Sequence, residues 1–200
     1  MKELVSSKTI VDIVHEVTGE VLSTMLSLET TPGEVYTEMQ HGKSDGVVSF
    51  VGLAGSQCVG TGSLQCTSAV ACSLAGRFLM SEFPHVDDEV LDAFGELTNM
   101  VVGNFKTALE GHVGQVGLSI PTVVHGKNFS TRSPGNAEWT VIPFLWGDDK
   151  LYIRVCLKAK NSDAAPVPLR KPYTAEQIRN TFSELVQDAA KTQERISWNS

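Results

Sequence analysis

The chain has 200 residues, 42% of them hydrophobic and 20% charged, with a formal net charge of −7 at pH 7. That length supports one domain with a proper core and leaves room for an appendage. The acidic balance, with no cluster of Lys or Arg, excludes nucleic acid as the main partner, and no apolar run nears the eighteen or so residues of a spanning helix.

The N-terminal stretch MKELVSSKTIVDIVHE interrupts its apolar residues with Asp12 and Glu16 and has no signal-peptide core, so the expected location is the cytoplasm. A first helix is predicted from Ser7 to Leu28, with Ile10, Val14, Val17, Val21, Met25 and Leu28 on one stripe. Thr30-Thr-Pro-Gly33 ends it, and Glu34–Met39 reads as a short edge strand. Lys43-Ser-Asp-Gly46 carries turn chemistry. Gly46–Ala54 and Gln57–Gln65 then read as a hairpin about Gly55-Ser56. Gly60 and Gly62 in its second strand mark either a bulge or a close packing contact.

A second helix is predicted over Thr67–Ser81, with Ala69, Ala71, Ala75 and Gly76 as small packing positions. A central helix follows from Asp88 to Leu109, ending at Gly111, with Asp87, Asp88 and Glu89 at its start, where negative charge suits the helix dipole. Gln115–His125, containing Ser119-Ile-Pro121, reads as extended, with Pro121 at an edge or bulge, and Asn128–Asn136 as loop. Ala137–Leu145 and Leu151–Lys158 form a second hairpin turned by Gly147-Asp148-Asp149. Asn161–Pro172 is a proline-bearing linker. The capping-box-like Thr174-Ala-Glu-Gln177 opens a last helix whose apolar side is Ile178, Phe182, Leu185 and Ala189. It is either a lid on its own domain or an interaction arm. The division that results is a domain over residues 1–160 and an appendage over 161–200.

Conventional sites are missing. Cys58, Cys66, Cys72 and Cys156 form no C-x-x-C pair and His15, His41, His85, His112 and His125 no H-E-x-x-H, so neither a metal site nor a disulfide framework is expected. Neither phosphate loop, dinucleotide fingerprint nor nucleophile elbow is present.

The informative stretch is Asp92-Ala-Phe-Gly-Glu96-Leu-Thr-Asn99. Phe94, Leu97, Val101, Phe105 and Ala108 form the apolar stripe of the central helix, while Asp92, Glu96 and Asn99 share the opposite face. Gly103 lies on that face and Gly95 borders it, which suits close approach by another backbone. Shifted back by 80 residues, this helix lands on the first: Asp12, Glu16 and Thr18 align with Asp92, Glu96 and Thr98, and the apolar stripes align as well. Two similar helices, each returning to a hairpin, predict an internally duplicated α+β domain whose helices cover one face of a mostly antiparallel sheet. Gly19 stands where the second copy has Asn99, so only one copy keeps the Glu-plus-Asn pair.

The chain at this point resembles the CheC/CheX chemotaxis phosphatases over residues 7–158. The family signature is an Asp or Ser, a Glu four residues on, an Asn three further and a Pro some twenty residues downstream. Asp92, Glu96, Asn99 and Pro121 match, with 21 residues between Asn99 and Pro121. The family is duplicated; CheC members carry the pair in both copies and CheX members in one, so Gly19 points to the CheX branch. The resemblance implies a hydrolase for the aspartyl phosphate of a CheY-like receiver, with Glu96 and Asn99 catalytic and Asp92 and Pro121 in support. It implies no cofactor of its own, Mg²⁺ on the partner, and a homodimer. The rivals are a receiver-binding module without catalysis, for which Asn99 would not be needed, and a small-molecule enzyme with a Cys or His site.

Overall fold

The structure is a computed structural model that describes residues 4–39, 43–131 and 138–160. In order it runs α1 (Ser7–Leu26), β1 (Thr31–Pro32), β2 (Tyr36–Glu38), β3 (Lys43–Gly55), β4 (Cys58–Cys66), α2 (Ser68–Leu79), α3 (Asp88–Val113), β5 (Val116–Leu118), β6 (Thr122–Ser130), β7 (Trp139–Trp146) and β8 (Asp149–Ala159). The predicted linker and last helix lie outside the described residues.

Three side-chain caps start the helices: Ser6 accepts from Thr9 N, Thr67 from Val70 N and Asp87 from Val90 N. The strands form one antiparallel sheet in the order β1-β7-β8-β4-β3-β5, with β2 also on β7 and β6 also on β3. At its centre β4 pairs with β8, from Cys58 opposite Ala159 to Gln65 opposite Tyr152. About that seam the two halves mirror one another. The short strands are exchanged: β1 and β2 follow α1 but pair with β7, whereas β5 and β6 follow α3 but pair with β3. The duplicated α+β architecture with its two long helices on one face is therefore present. Alternation explains the layering. Val47, Val51, Leu53, Leu64, Ile142, Phe144, Leu151, Ile153 and Val155 point to the helices and share a single core with Val14, Val17, Leu74, Phe94, Leu97 and Phe105. Each of the larger side chains there contributes about 1.5–3 kcal/mol by burial. Among the described residues no helix is long and apolar enough to cross a membrane.

Several local expectations change. The predicted turn Lys43–Gly46 is the start of β3. Its ladder shifts register between Ser44 and Gly46, and Gly46 has φ +107°. A Cβ there would collide with the Cys66 carbonyl oxygen, so the residue that reads as a turn serves a bulge. Gln115–His125 holds two strands, with Ser119–Pro121 between them, and β6 continues to Ser130 through the first residues of the predicted loop, of which 132–136 lie outside the described residues. Helix α3 passes through Gly111 to its cap at Gly114, and Ala108 is exposed while Leu109 is buried. Helix α1 ends at Leu26, with Ser27 left-handed. Met25 is exposed; Leu22 and Leu26 are buried instead, on the side where Arg77 of α2 donates to the Leu26 carbonyl at 3.4 Å.

Neither glycine of β4 makes a bulge, since the ladders to β3 and β8 run unbroken past both. Gly62 lets α3 sit down on the sheet: a Cβ at 62 would lie 2.7 and 2.9 Å from the two methyls of Val102. A valine in a helix has essentially one rotamer and cannot swing aside. Gly62→Ala should therefore cost about 1–3 kcal/mol by overpacking. A urea denaturation midpoint equal to wild type would show that α3 has slack at this contact.

Candidate functional site

Helix α3 buries Val90, Phe94, Leu97, Val101, Phe105 and Leu109 against the sheet, which leaves Asp92, Glu96 and Asn99 exposed together on its outer face. Thr98, between the pair, is turned inward and donates to the Phe94 carbonyl at 2.7 Å. Among the described residues no hydrogen bond or ion pair engages Asp92, Glu96 or Asn99. Their donors and acceptors are open to an incoming molecule. The far end of α3 is anchored by Glu110, which pairs with Lys106 at 2.9 Å and accepts from Val116 N at 2.9 Å. The Val116 amide first, and then Lys106, holds that carboxyl below its ordinary range.

Two glycines of α3, Gly95 and Gly103, receive a neighbour from within the chain. Gly95 is buried, its Cβ position 3.3 Å from Val123 Cγ2 and 3.9 Å from Pro121 Cβ. Gly103 has Leu118 Cδ1 at 4.0 Å from its Cβ position. The end of β5, the Ser119–Pro121 connection and the start of β6 thus run alongside the face that carries Glu96 and Asn99. Pro121 belongs to this flank, and α3 and the connection bring all four signature residues into one region. Sequence reasoning missed Ser119. Its amide donates to the Gly52 carbonyl at 3.0 Å, its hydroxyl accepts from Gly52 N at 2.9 Å, and that hydroxyl donates to the Ile120 carbonyl at 2.9 Å. No local motif marks it, because its partner lies on β3.

On α1 the aligned positions differ. Asp12 and Glu16 are exposed, and nothing lies within 4 Å of a Cβ at Gly19. His15 occupies the place of Gly95 and packs edge-on to Phe144, ring centroids 5.8 Å apart. The two faces are alike in outline, but α1 offers no carboxamide.

A small-molecule site fits poorly. Burial pushes all four thiols up, Cys66 most of all, which disfavours the reactive thiolate. Ser68 Oγ lies 3.3 Å from His125 Nε2, but no carboxylate orients that ring among the described residues. This pair lines a groove with Arg77, Phe83 and His85, and none of Asp92, Glu96 or Asn99 takes part in it. Among the described residues no cluster of three His, Cys, Asp or Glu could hold a metal ion.

The chain is thus a duplicated α+β scaffold whose α3 displays, side by side, a carboxylate and a carboxamide without partners among the described residues. The family model described as chemotaxis phosphatase CheX matches residues 47–145. The CheY-P phosphatase CheX of Thermotoga maritima is 30% identical over 131 residues, which is 62% of this chain and 81% of that protein. Among solved structures, the chemotaxis protein CheX of Desulfovibrio desulfuricans is 26% identical with a TM-score of 0.67, covering 75% of this chain and 99% of that one. CheX from Borrelia burgdorferi, solved in complex with CheY, BeF₃ and Mg²⁺, shares the fold at 23% identity and TM-score 0.64, covering 74% and 97%. The chain belongs to the CheX family of chemotaxis phosphatases.

Proposed function

We propose that this protein hydrolyses the aspartyl phosphate of a CheY-like response regulator and so ends a chemotactic or related two-component signal. The observation that carries this reading is the unpaired Asn99 side chain, exposed one helical turn from an equally unpaired Glu96. An acyl phosphate already has a good leaving group, and the receiver supplies Mg²⁺ and a Lys. What it lacks is a water held in line with phosphorus. The Asn99 carboxamide accepts from that water through its oxygen and donates to a phosphoryl oxygen through its nitrogen, with no proton to gain or lose. Glu96 pairs with the receiver's Lys and sets the register of docking. Asp92 adds negative charge to the same face, and Pro121 shapes the flanking connection. The catalytic domain is residues 1–160, consistent with a family match that lies wholly inside it, and 161–200 is an appendage. The protein acts in the cytoplasm.

The test is the decay of phosphorylated receivers from the same cell, each followed with and without this protein. Acceleration of at least one is expected; no acceleration of any would overturn the reading. Glu96→Ala should raise KM and lower kcat/KM. Glu16→Ala, its counterpart on α1, should leave both unchanged, and a large loss at unchanged melting temperature would mean that α1 takes part. A homodimer is expected, read as twice the chain mass in light scattering at micromolar concentration. A single-chain mass would refute it.

A further inference from the structure

We propose that Ile120 is a second anchor for the receiver, an apolar side chain that docks beside the phosphoryl site; the inference rests on the reading of Glu96 and Asn99 given above. Ile120 is 85% exposed, although it is large and apolar, and Leu118 beside it is 36% exposed. Exposure of this kind usually belongs to a loose loop, but the backbone on both sides is fixed. Ser119 is bound to Gly52 through both its amide and its hydroxyl, and the same hydroxyl holds the Ile120 carbonyl. Pro121 then restricts the next φ. The side chain is thus presented from a preset backbone, which lowers the entropy cost of using it in an interface.

Its position follows from the contacts to α3. Leu118 lies at the level of Gly103 and Pro121 at the level of Gly95. Those glycines are about 12 Å apart along the helix at 1.5 Å per residue. The three steps from Leu118 to Pro121 cover about 10 Å of extended chain. Ile120, two steps along, therefore comes level with the turn between Glu96 and Asn99. A receiver placed over Asn99 therefore meets Ile120 at the same level of the helix. Polar recognition by Glu96 and Asn99 then has an apolar neighbour that excludes water from the ion pair, which is worth little while solvated. The expected partner surface is an apolar depression on the receiver next to its phosphorylated Asp.

The experiment uses the full chain and CheY-like receivers of the same cell, phosphorylated with acetyl phosphate for kinetics and loaded with BeF₃ and Mg²⁺ for calorimetric binding. Ile120→Asp should raise KM and Kd about tenfold, with kcat within about twofold of wild type. Ile120→Val should change neither by more than about twofold, and both variants should melt with the wild type because the residue is 85% exposed. Unchanged KM and Kd in Ile120→Asp, with wild type active, would overturn this inference and leave the phosphatase reading standing. A fall in kcat at unchanged KM would also overturn it. Failure of the wild type to bind or hydrolyse any receiver would sink both.

Discussion

Asn99→Ala should lower kcat on a phosphorylated receiver by about a hundredfold and leave the protein folded. The magnitude follows from the role. A water lost from in-line geometry costs on the order of 10² in rate, and an exposed side chain without partners contributes within about 0.5 kcal/mol to stability. Among the described residues the Asn99 side chain has no partner to lose. Asn99→Asp is the sharper variant, since it keeps the shape but replaces the donor nitrogen with negative charge facing a phosphoryl group. It should be at least as impaired as the alanine variant. Binding of the BeF₃- and Mg²⁺-loaded receiver should survive in Asn99→Ala, which separates positioning of the water from docking. Wild-type turnover by either variant would remove Asn99 from the chemistry.

The three described helices, both hairpins and the duplication could be read from the chain because their signals are local. A 3.6-residue stripe or a two-residue alternation is fixed by neighbours a few positions away. The exchange of short strands could not be read. Nothing in Thr31–Pro32 or Tyr36–Glu38 says that the pairing partner is β7, more than a hundred residues on. Gly46 was ambiguous for a different reason, since the same positive φ serves a turn and a bulge. Of the site, the face carrying Asp92, Glu96 and Asn99 follows directly from helical spacing. The flank that fixes Ile120 does not, because it depends on a hydroxyl of β5–β6 meeting an amide of β3. Gly95 and Gly103 of α3 suited close approach by another backbone, but what meets them is side chains of the chain's own β5–β6 segment.

The outer sheet face holds the second large effect. Tyr152, Arg154, Cys156 and Lys158 alternate with the core residues of β8 and face away from the helices. Arg154 is nevertheless 1% exposed. Its guanidinium lies 4.8 Å from the centroid of the Trp139 ring and forms an ion pair with Glu38 of β2. The pair ties the exchanged strand β2 across β7 to β8, so it secures the part of the fold that hairpin contacts alone do not. Glu38→Ala should cost about 3 kcal/mol, the low end for breaking a buried pair, since the carboxylate is partly exposed while the cation it leaves behind is not. Arg154→Leu on that background should return part of the loss by removing the stranded charge. Urea denaturation of the two variants checks both steps. A double variant less stable than Glu38→Ala would show that Arg154 acts mainly through its packing on Trp139, with the charge secondary.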